Sequence, residues 1–100
     1  MVKARFRTHP GEVLELDFIR PRGLSTRKVA QDIGVPTRRL DAILQGRRPL
    51  TAETSLRLGR YFGISGRFWI RLQTDYDMKM ESARLGSRLA DEVVVLDQSR

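Results

Sequence analysis

Arg38, Arg39, Arg47 and Arg48 stand close together in the middle of the chain, with Thr37, Asp41, Ala42 and Gln45 interspersed. A guanidinium presents its donors as a planar fork that fits the O6/N7 edge of guanine or two oxygens of a phosphate. Hydroxyl and amide side chains add hydrogen bonds to base edges, and an alanine methyl can meet the methyl of thymine. Placed on one helix, these residue types would read a DNA groove. The spacing puts Thr37, Arg38, Asp41, Ala42 and Gln45 on the face turned away from Leu40, Ile43 and Leu44, with Arg39 at its flank. Thr37, Arg38, Asp41 and Ala42 are read as the base-contacting set. Thr26, Arg27 and Lys28, with Arg39, Gln45, Arg47 and Arg48, fall where a phosphate backbone would pass on either side. Any one of these arginines taken alone is equally well explained as solvated surface charge. What separates the two readings is the frame around them.

That frame is a pair of short helices joined by a tight turn. Ser25 is an N-cap for a helix whose Val29, Ala30 and Ile33 share one face, and Gly34 ends it. Ala30 is small where two helices must cross closely, Val35 plugs the turn, and Pro36-Thr37 opens the next helix, which Gly46 closes. A helix beginning near His9-Pro10-Gly11 and stopped by Pro21 and Gly23 precedes the pair. Two helices follow. One starts at Thr51 and carries Leu56, Leu58, Tyr61 and Phe62. The other runs from Ser65 or Gly66 to about Leu85 with Phe68, Trp69, Leu72, Tyr76 and Met80 on its apolar stripe. The fold expected is all-α, a five-helix helix-turn-helix domain over residues 9–86. Residues 1–8 form a basic arm or short edge strand, and 87–100 a tail. Within the tail Val93-Val94-Val95 suits a strand or pairing with a partner. Periodicity assigns Phe68 and Leu72 to the core. Trp69 and Tyr76, with Val93, Val94 and Val95, are candidates for a dimer or partner surface.

Nineteen Lys and Arg against twelve Asp and Glu give a net charge of +7 in 100 residues, which favours a polyanionic partner without choosing among DNA, RNA, lipid and acidic protein. The absence of cysteine excludes disulfides and thiolate metal sites and fits a reducing cytoplasm. No apolar run is long enough to span a membrane, and neither a membrane partner nor a cofactor is expected. Catalysis has no support. His9 is the lone histidine and lacks a partner, and Asp75 and Asp77 project to different sides of a helix.

The succession "HPGEVLELDFI" and "GLSTRKVAQDIGVPTRRLDAILQGRRPLTAETSLRLGRYFGISGRFWIRLQTDYDM" resembles the HigA-type, VapI-like antitoxins of the Xre/Cro helix-turn-helix family over roughly His9 to Leu85. The pieces "GRRPLT" and "FGISGRFWIRLQTDYD" set it apart from lambda-repressor-like relatives in general. The resemblance implies a homodimer that binds operator DNA, represses its own operon and neutralises a RelE-like, mRNA-cleaving toxin of the HigB type in the cytoplasm, at the nucleoid. A stand-alone transcriptional repressor without a toxin is the alternative. Glu53-Thr54-Ser55 departs from the Asp-Thr-Ala frequent in such proteins, and the last residues match no firm pattern.

Overall fold

The computed structural model describes residues 9–97, which are entirely helical apart from turns and an irregular C-terminal segment. The expected arm 1–8 lies outside the described residues. The first helix, α1 (Pro10–Val13), passes without a break into a π-helical run, Leu14–Ile19, and a closing 3-10 turn, Arg20–Arg22. Five positions apart on an α-helix, side chains diverge by about 140°. The wider π turn brings Leu14 and Ile19 onto one face, and both are buried.

The helix-turn-helix comprises α2 (Thr26–Ile33) and α3 (Thr37–Leu44). The Ser25 hydroxyl accepts the Lys28 N–H at 3.0 Å, as its N-cap position requires. Between the helices Gly34 adopts φ +79°, a left-handed conformation that side chains with a Cβ rarely reach, and the chain reverses there. The N–H groups of Gly34 and Val35 both return to the Ala30 carbonyl, at 2.9 and 3.0 Å, which closes the end of α2. Thr51 caps α4 (Ala52–Phe62) through the Thr54 N–H, and Ser65 caps α5 (Gly66–Leu85) through the Arg67 N–H.

The core gathers Leu14, Ile19, Val29, Ala30, Ile33, Leu40, Ile43, Leu50, Leu58 and Trp69, with Phe18, Phe62 and Leu72 packed at its margin. Trp69 is fully buried rather than at a partner surface, and Phe18, Phe62 and Phe68 surround it at ring-centroid distances of 4.6–5.8 Å. The stripe on α5 is rotated relative to expectation. Phe68, assigned to the core by periodicity, is 37% exposed because Trp69 and Gln73 are the residues that point inward. On α4, Leu56 is likewise exposed and Leu58 buried.

The tail is not a strand. Residues Arg88–Glu92 form a short helix, α6, and Val93 to Asp97 are irregular, with Val93, Val94 and Val95 all exposed. From Asp77 to Glu92 only Leu85 is partly covered, so the distal half of α5 projects from the body. The radius of gyration, 17.0 Å, exceeds the ~13 Å of a well-rounded domain this long. No helix among the described residues is long and apolar enough to cross a membrane.

Candidate nucleic-acid interface

α3 is packed from behind by α1 and α2. Gly11 of α1 sits so close to the end of α3 that a Cβ there would lie 2.1 Å from the Ile43 carbonyl oxygen and 2.8 Å from Leu44 Cα. Only glycine permits this approach. His9 caps the same helix, its Nδ1 accepting the Gly11 N–H at 2.9 Å, and its ring meets Tyr76 of α5 edge-on at 4.9 Å. Tyr76 is therefore partly covered from within the chain.

α2 is held by α4. The Arg57 guanidinium donates to the Ile33 carbonyl at 2.8 Å, satisfying an orphan acceptor at the end of α2, and it is oriented by Glu53 one turn back at 2.9 Å. The Tyr61 hydroxyl donates to Asp32 at 2.6 Å, and Lys28 pairs with the same carboxylate at 3.4 Å. The Tyr61 hydrogen bond first, and Lys28 after it, hold the Asp32 carboxyl below its ordinary pKa, while the same bond raises that of Tyr61. Lys28, expected to meet phosphate, thus has a competing partner.

With its supports in place, α3 leaves Thr37 and Arg38 exposed and Arg39 and Asp41 half-buried. Ala42 is different. Expected on the solvent face, it is 6% exposed, because the chain after α3 folds back over it: the Arg47 and Arg48 N–H groups both approach the Ala42 carbonyl, at 2.8 and 3.3 Å. Its methyl floors a concavity walled by Pro36, Arg38, Arg39, Arg47 and Arg48. Gln45 is engaged as well. Its amide nitrogen donates to Asp41 at 3.4 Å, and its oxygen accepts from Arg47 Nε and Nη2 at 3.1 and 2.7 Å. These bonds place the Arg47 guanidinium beside Gln45 at the end of α3.

Arg20, Lys28, Arg57, Arg71, Arg84 and Arg88 each pair with a nearby acid. The side chains of Arg38, Arg39 and Arg48 form no hydrogen bond or ion pair with any described residue, although they crowd one concavity. Three like charges left uncompensated side by side are costly for the free protein and suited to an anion. Thr26 and Arg27 lie at the N-terminal, electropositive end of α2.

Sequence reasoning located the cations but missed what positions them. Gly11 and Arg57 act through partners more than twenty residues away, and no local pattern marks such pairs. His9 before Pro-Gly was the one legible signal, a polar residue at the N-cap position.

No family model matches the chain. Among curated proteins, virulence-associated protein I of Dichelobacter nodosus is 43% identical over 72 residues, covering 72% of this chain and 67% of its own length. A solved structure of the Pseudomonas aeruginosa antitoxin HigA with the higBA promoter superposes with a TM-score of 0.84 at 31% identity, over 89% of this chain and 97% of that one. An addiction module antidote protein of a HigA family from Coxiella burnetii gives a TM-score of 0.82 at 39% identity, over 87% of this chain and 95% of that one.

Proposed function

Since the chain belongs to the HigA family of helix-turn-helix antitoxins, we propose that it binds operator DNA as a homodimer, represses its own operon and neutralises a RelE-like, mRNA-cleaving toxin of the HigB type. The observation that carries the DNA-binding part is the group of uncompensated arginines around the Ala42 floor, on and just after α3, the helix that α1 approaches closely at Gly11. Thr37, Arg38 and Asp41 read base edges. Arg39, Arg47 and Arg48 grip phosphates on one side and Thr26, Arg27 and Lys28 on the other. Ala42 supplies the floor rather than a thymine contact, and Gln45 orients Arg47.

One α3 spans too few base pairs for useful discrimination, and two-fold pairing sets half-sites about 34–36 Å apart. The exposed apolar side chains of the projecting C-terminal region, Met78, Met80, Leu89 and Val93 to Leu96, supply a surface on which partners can meet. The activity is binding, and the protein works in the cytoplasm at the nucleoid.

The test is an anisotropy titration against the DNA upstream of the gene and against random duplex at physiological salt. Tighter binding to the upstream DNA is expected, and equal affinity for both would refute operator recognition. Co-expression with the neighbouring gene separates the antitoxin from a stand-alone repressor: rescue of growth identifies the toxin, whereas a neighbour that is harmless alone removes it.

A further inference from the structure

Leu50 poses a problem of satisfaction. Its side chain is 2% exposed, so its N–H is withdrawn from water with it, yet it precedes the N-cap of α4 and has no helical partner. The acceptor comes from twenty-three residues away. Gln73 of α5, itself 6% exposed, takes the Leu50 N–H on its side-chain oxygen at 2.7 Å. Its amide nitrogen donates to the Asp77 carboxylate one turn later, at 2.9 Å. The two bonds use the amide in the one sense that satisfies both, oxygen toward a donor and nitrogen toward an acceptor-only carboxylate.

The segment between α3 and α4 is thereby tied at both ends. Its front end hangs from the Ala42 carbonyl through the Arg47 and Arg48 N–H groups, and its rear end from Gln73. Between the ties lies Pro49, with φ fixed by its ring. A loop anchored in this way loses little freedom when it meets a phosphate, which is the gain of preorganisation.

Resting on the operator-binding reading above, the geometry points to Gln73, oriented by Asp77, as a positioning residue for DNA binding: it sets the Arg47-Arg48 loop from α5 and touches no DNA itself. Its contribution is therefore to phosphate grip, common to every sequence, and not to base discrimination.

Two substitutions test it, Gln73→Met, which keeps the volume and deletes the acceptor, and Asp77→Ala, on an exposed residue. Amide hydrogen exchange on the free protein is read first. The Leu50 amide should exchange at least about tenfold faster in Gln73→Met, with a smaller change of the same sign in Asp77→Ala. In the DNA titration, Gln73→Met should lose roughly tenfold in affinity for upstream and random duplex alike, the effect of about one charge-assisted hydrogen bond. The slope of log K against log salt should become shallower by about 0.9 for each phosphate that the loop no longer neutralises. A folded Gln73→Met protein with an unchanged Leu50 amide or unchanged affinity overturns the inference. A changed ratio between the two DNAs also overturns it, by assigning Gln73 to α3 instead of the loop. If Gln73→Met does not fold, Asp77→Ala decides alone, and unchanged exchange at Leu50 refutes. Failure of the operator reading would show in the wild-type chain as equal affinity for both DNAs, whereas the exchange measurement needs no DNA.

Discussion

Replacing Gly11 by alanine sets two effects of opposite sign against each other. Alanine is the better helix former, by about 1 kcal/mol, so a reading of α1 in isolation expects stabilisation. The structure expects the reverse. The new methyl would sit 2.1 Å from the Ile43 carbonyl oxygen, 2.8 Å from Leu44 Cα and 2.9 Å from the Leu44 carbonyl oxygen, where 3.4 Å is ordinary contact. All three are backbone atoms, so no side chain can rotate aside and α1 and α3 must separate by more than an ångström. Overpacking that flexible side chains absorb costs about 1–3 kcal/mol, and rigid backbone places this change at or beyond the upper end. Net of propensity, stability should fall by about 2–3 kcal/mol. At 4–8 °C per kcal/mol, the melting temperature should fall by roughly 8–24 °C, measured at fixed protein concentration because dimers melt in a concentration-dependent way. Operator affinity should fall with it, since α3 is displaced at the same contact. Gly23→Ala is the control: its φ is +68° with nothing within 4 Å, so it carries a conformational cost of ~1–2 kcal/mol and leaves DNA binding intact. A Gly11→Ala protein that melts within 2 °C of wild type, or above it, would show that the contact does not seat α3 (threshold set by the roughly 4 °C expected per kcal/mol).

Arg38→Ala should reduce discrimination at one base pair by ~1–3 kcal/mol, while Arg48→Ala weakens all sequences and lowers the salt slope by about one; competition titrations over a set of single-base operator variants distinguish the two. Trp69→Ala should cost about 3–5 kcal/mol in urea denaturation, and Trp69→Phe much less, because the buried indole N–H has no hydrogen-bond partner to lose. Tyr61→Phe bears on pH. The Asp32 carboxyl, depressed mainly by the Tyr61 hydroxyl, contributes stability that is present above its unfolded pKa near 3.8 and disappears as pH falls through the lower folded value. Wild type and Tyr61→Phe should therefore differ at neutral pH and converge in strong acid; a difference that persists there rules out this linkage.

The helices were legible because their ends carry their own signals. Ser25, Thr51 and Ser65 cap locally, and Gly34, Gly46 and Gly63 all adopt positive φ where the periodic apolar runs stop. Facing was less legible. On α5, adjacent aromatics at 68 and 69 both fit a 3.6-residue stripe, and only the ring cluster of Phe18 and Phe62 from other helices selects Trp69 for the interior. The arginines were found from charge and spacing, but the burial of Ala42 depends on a chain reversal at Gly46 and Arg47 that helical periodicity does not anticipate. In the tail, three valines favour a strand by intrinsic preference, yet a strand requires another strand to pair with, and the described residues offer none.

The projection of α5 beyond the globular body has a practical side. With principal extents of 55, 29 and 23 Å, the 11.5 kDa chain is nearly twice as long as it is wide. Such a particle meets more hydrodynamic drag than a sphere of equal mass, so it should leave a sizing column early and mimic something heavier. Light scattering or sedimentation equilibrium, which weigh the particle irrespective of its outline, are the measurements by which its assembly should be counted. Its rotational diffusion should also be anisotropic, with amides whose N–H bonds lie along α5 relaxing as though they belonged to a larger protein.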